Sequence, residues 1–285
     1  MPSDIDSKPK KPHFSPSQLN TLSRCGYQYY MSYIEGKKIP PGVAALKGSA
    51  VHGAAQVNFD QKIESHVDIT VSQAQDAAVA EYETRLEKDG INLTPEDASR
   101  GKSIVVGEGL DQAVVMAEAH MLTQAPEYQP ILVEQWSRIS VPGSTRDLVG
   151  VIDLYDDRNR LVDFKTSGKK KNQFDADQSI QLTAYAAFVR EETGSYPHDV
   201  RLDTLIGKNL KKGFTTDRQV LRTSRNDASV NSLLSRFQAA EATISAGACM
   251  QVEPGHWCCN PKWCGYWSVC PHVDSERKAL AQITL

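Results

Sequence analysis

Helical spacing of apolar residues governs the first 124 or so positions, and strand-like runs begin only after them. Ser15-Pro16-Ser17-Gln18 combines an N-cap serine, a proline at the first helical position and a glutamine at the third. It predicts a helix to about Ile34, with Leu19, Leu22, Tyr29, Tyr30 and Tyr33 on the apolar side and Cys25 inside it. The breaker "KKIPPG" precedes a second helix, from about Lys47 to His66, which carries His52. Ser72-Gln73-Ala74-Gln75 reads as a capping box opening a third helix that stops near Gly90, and Thr94-Pro95 starts a fourth that reaches about Gln124. Strand signals follow at Ile131-Leu132-Val133, at Val149 to Ile152, and at Leu161, Val162 and Phe164, with Asp157-Arg158-Asn159 as the turn of a hairpin. A helix from Asp177 to Glu192, strands at 199–206 and 214–222, and a helix at 227–246 complete the pattern before a cysteine-rich tail. Helix, three strands, helix, strand is the order of an α/β or α+β domain with a mixed sheet.

Composition narrows this little. With 285 residues, 40% hydrophobic and 24% charged, the chain has the make-up of a soluble globular protein of one large domain or two small ones. No apolar run approaches the roughly 18 residues of a membrane span, and "MPSDIDSKPKKPH" lacks the apolar core of a signal peptide. Residues 1–13 are expected to be a flexible tail, and the location cytoplasmic, in a bacterium or bacterial host. A net charge of −3 does not announce a nucleic-acid binder. Basic clusters at Lys169-Lys170-Lys171, at Lys208, Lys211 and Lys212, and at Arg218, Arg222 and Arg225 leave a local groove open, beside the reading as solvated loops. Of six cysteines, Cys25 stands alone and Cys249, Cys258, Cys259, Cys264 and Cys270 cluster, which in a cytosolic chain points to metal rather than disulfides.

The hairpin carries the chemistry. Asp153 and Asp163 each interrupt an apolar run, and Lys165 follows two positions after the second acid. A three-residue turn at 157–159 sets Asp153 opposite Asp163, where Cβ atoms lie about 4.5–5.5 Å apart. Carboxylates that close repel unless a proton or a cation neutralises them, and such an oxygen pair suits Mg²⁺. Lys165, on the same strand face as Asp163, would stand beside the phosphate or the attacking water rather than in a salt bridge. The alternative is a half-exposed hairpin with Asp163 and Lys165 turned to solvent. Gln181 and Tyr185 share a helix face four residues apart, and His52 lies among small residues that permit close packing.

In order, "GSAVH" (His52), "GVIDLYD" (Asp153), "VDFKTS" (Asp163, Lys165) and "QLTAY" (Gln181, Tyr185) resemble the PD-(D/E)XK nuclease superfamily in its RecB-like branch. Cys25 in "SRCGYQYYMSYIEG" and the tail "CNPKWCGYWSVC" add the cysteines of the iron–sulfur members, among them the AddB nuclease domain, CRISPR-associated RecB-like exonucleases and phage exonucleases. The resemblance spans residues 14 to 272. It implies a restriction-endonuclease-like core with a mixed central sheet flanked by helices, a helical region over 14–130, the nuclease core over 131–248 and an Fe–S tail over 249–285. It implies that His52, Asp153, Asp163 and the Phe164 carbonyl bind Mg²⁺ or Mn²⁺. Lys165 would then orient the attacking water and stabilise charge, and Gln181 and Tyr185 would position DNA or support Lys165. Asp163 stands where many relatives carry Glu.

Cys25, Cys259, Cys264 and Cys270 would hold a structural 4Fe-4S cluster, Cys259 being preferred to Cys258 because "CNPKWC" matches the family pattern. Spacing alone leaves tetrahedral Zn²⁺ open, and the nuclease motifs favour iron and sulfur. Trp257, Trp263, Tyr266 and Trp267 are expected to shield the cluster, and Tyr29 or Tyr30 to stack on bases. The implied function is a metal-dependent DNA exonuclease acting on single strands or DNA ends in phage or bacterial recombination, repair or end processing. A recombination or single-strand annealing partner and a homo-oligomer are compatible with it. A non-catalytic DNA-end-binding or scaffold protein on the same fold is the rival.

Overall fold

The computed structural model describes residues 12–278. Of the tail expected over 1–13, residues 1–11 lie outside this range, and His13 and Phe14 form a short strand, β1 (His13–Phe14), parallel to the start of β3 below. Ser15 caps α1 (Pro16–Arg24) with the predicted capping box to Gln18. The helix does not run through to Ile34. Cys25 adopts an extended backbone, φ −162° and ψ 112°, closing α1 and opening α2 (Gly26–Tyr29), which continues as a π-helical turn over Tyr30–Ile34. Cys25 therefore sits at a break, and the break has a tertiary cause. The Gly26 N–H donates to the Met250 carbonyl at 2.8 Å, and a Cβ on Gly26 would fall 2.7 Å from that oxygen. Only glycine lets the tail dock there.

Three long helices follow: α3 (Val43–Ser65), α4 (Val71–Asp89) and, after the short α5 (Pro95–Arg100), α6 (Lys102–Thr123). Thr70 with Gln73, not Ser72 with Gln75, forms the capping box of α4. Gly101, at φ 94°, splits the stretch read as one helix from Thr94 to Gln124. Alanines four apart, Ala50 and Ala54, Ala74 and Ala78, Ala113 and Ala117, are buried where the three helices meet.

The sheet is built from β2 (Pro130–Ser140), β3 (Asp147–Asp156), β4 (Arg160–Ser167), β5 (Asp199–Asn209) and β6 (Phe214–Thr223). Its order is β1-β3-β4-β5-β6, with β2 on the other edge of β3. β4 and β5 are parallel, joined by α7 (Gln173–Asp177) and α8 (Ile180–Thr193), while β2–β3, β3–β4 and β5–β6 are antiparallel. The helix expected from Asp177 starts at Ile180 instead, because Ser179 caps it. α9 (Asp227–Ser245) and α8 cover one face with Phe188, Leu233 and Phe237, and α3, α4 and α6 cover the other. The mixed sheet flanked by helices is as expected.

The hairpin turn is 157–159. The Asn159 N–H donates to the Asp156 carbonyl and Asn159 itself is left-handed at φ 57°, the usual close of a three-residue hairpin loop. The resulting register, Leu154↔Val162 and Tyr155↔Leu161, places Asp153 opposite Asp163 when continued by one residue. At Asp153 the strand also changes layers: Ile152 packs with α8 and Leu154 with α3, although residues two apart normally share a face. Behind the sheet, buried Asp203 accepts from Tyr128 Oη, Gln124 Nε2 and Arg218, which also reaches Glu127 and so ties β5 and β6 to the approach to β2.

Candidate active site

Four elements converge where β3 and β4 splay apart. α3 brings His52, β2 brings Glu134, β3 brings Asp153, and β4 brings Asp163, Phe164 and Lys165. Past the Leu154–Val162 pair, the Phe164 N–H donates at 3.0 Å to Asp153 Oδ2 instead of to a backbone carbonyl. The Phe164 carbonyl is met from α3 by His52 Nε2 at 2.9 Å. A carbonyl can only accept, so this contact calls for a hydrogen on Nε2. Nδ1 then faces Glu134 Oε1 at 3.7 Å and Asp153 Oδ2 at 3.8 Å.

Among the described residues, the His52, Glu134 and Asp153 donor atoms lie within 4.8 Å of one another, close enough to hold one ion. One imidazole nitrogen and two carboxylates suit a hard or borderline divalent cation. The electrostatics agree. Burial opposes the His52 charge, yet the Glu134 carboxylate 3.7 Å away and the Asp153 charge outweigh it and raise its pKa. Burial raises Asp153 despite Lys165 and His52 nearby. The pocket favours an added positive charge, proton or metal.

Glu134 was not foreseen. It lies between the pairs Val133↔Leu154 and Gln135↔Ile152, hence across from Asp153, and its φ of 43° puts a bulky residue in the left-handed region. Its one sequence signal was the anomaly shown by the aspartates: an acid at the end of an apolar run, "ILVE".

Asp163 is only 1% exposed, and Lys165 Nζ contacts its Oδ1 at 2.7 Å, so Lys165 does form the salt bridge that it was expected to avoid. Burial, against the pull of Lys165 and with a push from Asp153, raises the Asp163 carboxyl to about 6. Burial works against the Lys165 charge, but Asp163 and Asp153 more than restore it. Gln181 donates to Tyr185 Oη at 2.6 Å on α8, as their spacing foretold. Burial, reinforced by the charges on Asp153 and Asp163, holds the Tyr185 phenol protonated. Phe164 is clamped by Phe59, His120 and Tyr128, with ring centroids 5.5–5.8 Å away, which fixes the peptide between Asp163 and Lys165. The site opens into a cleft of about 430 Å³ walled by α3, by Glu81 and Arg85 of α4, and by Lys165 and Thr166.

The thiols gather elsewhere. Cys25, Cys259, Cys264 and Cys270, with Cys258, line one cavity capped by Val252, Tyr266, Trp267 and Val273. Burial raises the Cys259 and Cys264 thiols, and Cys270 and Cys25 push both further. Cys258 Sγ instead lies 3.1 Å from His256 Nδ1. Tyr266 and Trp267 line the cavity as expected, whereas Trp257 and Trp263 are largely exposed, and of Tyr29 and Tyr30 the first is buried in the core, where no base can reach it.

The sequence profile of the PD-(D/E)XK nuclease superfamily matches residues 13–271. Among solved structures, a Eubacterium rectale protein assigned as an exonuclease superposes with a TM-score of 0.53 at 13% identity, over 90% of each chain, which shows a shared fold. A protein designated SSO0001 aligns with a TM-score of 0.40 at 12% identity, over 94% of this chain and 89% of its own. No curated protein matches at a significant level. No helix among the described residues is long and apolar enough to cross a membrane.

Proposed function

The chain belongs to the PD-(D/E)XK nuclease superfamily, and from that premise we propose that it is a divalent-metal-dependent deoxyribonuclease that degrades DNA from an end. The observation that carries the reading is the convergence of His52 Nδ1, Glu134 and Asp153 beside the Asp163–Lys165 pair. His52, Glu134 and Asp153 would hold Mg²⁺ or Mn²⁺, with Asp163 and the Phe164 carbonyl as the further donors that the family pattern implies. When bound, such an ion polarises a phosphoryl oxygen and lowers the pKa of water.

The chain's own groups supply the rest. Lys165 stays protonated between two acids, so it acts as a charge that stabilises the developing phosphorane rather than as a base. Asp163 anchors the ammonium by its 2.7 Å contact, and release of that contact would free Nζ toward an entering phosphate. Half-buried Gln181 would offer its amide to DNA without adding charge, held in place at 2.6 Å by the buried, neutral Tyr185 phenol. The exonuclease part draws on the assigned activity of the Eubacterium rectale protein and on the RecB-like order of the motifs.

Cys25, Cys259, Cys264 and Cys270 would bind a structural 4Fe-4S cluster that staples the break after α1 to the C-terminal tail. What supports it is that these four thiols, from opposite ends of the chain, line one apolar-capped cavity together with Cys258. A role in recombination, repair or end processing goes with these assignments.

The test is digestion of 5′- and 3′-labelled single- and double-stranded DNA with Mg²⁺, Mn²⁺ or EDTA. Metal-dependent shortening from labelled ends is expected. Binding without product in every metal would favour a DNA-end-binding scaffold instead.

A further inference from the structure

Two indoles on the tail are spent on solvent. Trp257 and Trp263 are each 60% exposed, stand edge to face at 6.3 Å, and Lys262 Nζ lies 5.9 Å from the Trp263 ring centroid. The segment that carries them is nevertheless held firmly. Tyr266 Oη hydrogen-bonds Ser32 Oγ at 2.8 Å and donates to the Lys37 carbonyl, and a Cβ on Gly265 would fall 2.6 Å from Ile39. Rigid, exposed aromatic faces beside lysines are the ingredients of a surface that stacks bases.

Trp263 walls a cleft of about 720 Å³, faced by Lys38 and Ile39 and floored by the start of α3, Gly42 to Ala45. Ala44 and Ala45 also line the cleft that holds His52, Glu134 and Lys165, so the two form one groove. Within the active-site cleft the floor continues along α3 through Gly48, Ser49, His52, Gly53 and Gln56 at helical spacing. From Ala44 to Gln56 that is about 18 Å of helix. Gly42 gives α3 no side-chain cap, and while the Ala45 N–H donates to the Gly42 carbonyl at 2.9 Å, those of Val43 and Ala44 are left for another acceptor at the positive end of the helix dipole. Lys38 and Lys262 add positive charge, Lys262 sharing its own with Glu96 at 3.6 Å. Asp97, the acid in this lining, is occupied by Thr94 at 2.7 Å.

We propose that this groove holds a single strand of DNA continuous with the strand in the active site, its phosphates over the start of α3 and Lys38 and one base stacked on Trp263. The proposal rests on the nuclease reading and extends it to a substrate form. Stacking on an indole takes a base face that a duplex keeps covered, so the subsite selects single strands.

Anisotropy of a labelled single-stranded oligonucleotide in EDTA, and hydrolysis kinetics in Mn²⁺, test it on intact protein with unchanged iron content. Trp263→Ala should weaken binding about tenfold and raise KM with kcat kept, and Trp263→Phe should restore most of the loss. Lys38→Ala should lower the slope of log affinity against log salt by about 0.7. Blunt duplex binding should not respond to Trp263→Ala. Unchanged strand affinity and KM in Trp263→Ala, with cleavage proceeding normally, would overturn the groove and leave the nuclease reading intact. A wild-type protein that binds the strand through Trp263 but cleaves nothing would do the reverse. Wild-type protein with no affinity for the strand would overturn the groove outright.

Discussion

Asp153 Oδ2 accepts the Phe164 amide at 3.0 Å, doing with a side chain what a strand partner's carbonyl would do in an unbroken ladder. One carboxylate thus bridges the splayed strands with the same oxygen that lies 3.8 Å from His52 Nδ1. The two roles separate by substitution. Asp153→Asn keeps a carbonyl oxygen for Phe164, whereas Asp153→Ala orphans a buried N–H at a cost of about 1–3 kcal/mol. Both should lose cleavage, and chemical denaturation should show the alanine variant less stable than the asparagine variant by that amount.

Glu134 offers a similar separation. Its left-handed backbone is strained by roughly 1 kcal/mol for any residue with a Cβ. Glu134→Gly should therefore unfold at higher denaturant than Glu134→Ala, while Mn²⁺ affinity by calorimetry drops at least tenfold in both. Equal Mn²⁺ affinity in wild type and Glu134→Ala would remove Glu134 from the ion site.

The pH dependence follows from Asp163, whose carboxyl is raised to about 6 against about 3.9 unfolded. A raised folded pKa means that the folded state holds the proton more tightly. The stability it contributes is complete below about pH 4 and is lost as pH rises through 6. Without metal, the melting temperature of Asp163→Asn relative to wild type should therefore climb between pH 4 and pH 7. A flat difference would show that Asp163 is not held in this buried, cation-hungry state.

For the thiols, Cys25→Ser, Cys259→Ser, Cys264→Ser and Cys270→Ser should each abolish the brown colour of anaerobically purified protein and lower its melting temperature. Cys258→Ser, next to His256, should keep iron and sulfide at about four each per chain. Colourless wild-type protein with stoichiometric zinc would replace the cluster by a zinc site.

The hairpin was legible because its geometry is local. A three-residue turn closed by Asn159 fixes the register, and misplaced acids in apolar runs mark the site. What depended on distant packing was not. Glu134 reaches Asp153 only through the β2–β3 register across an intervening loop and through a left-handed backbone that no propensity predicts. The break at Cys25 comes from Met250, 225 positions away in the chain (250 − 25), docking against Gly26. Trp257 and Trp263 were misread because composition says that an indole is near the thiols, not which way it points. The Lys165 salt bridge reflects a simpler fact: a buried acid draws the nearest ammonium.

The most direct test is single-turnover cleavage of an end-labelled oligonucleotide as Mn²⁺ is titrated, for wild type and Lys165→Ala, with Mn²⁺ affinity measured on both. The predicted result is cleavage by wild type that EDTA abolishes, and a rate about 10²–10³-fold lower in Lys165→Ala with Mn²⁺ affinity retained. Normal cleavage by Lys165→Ala, or wild-type cleavage that survives EDTA, would contradict a metal-dependent active site at this hairpin.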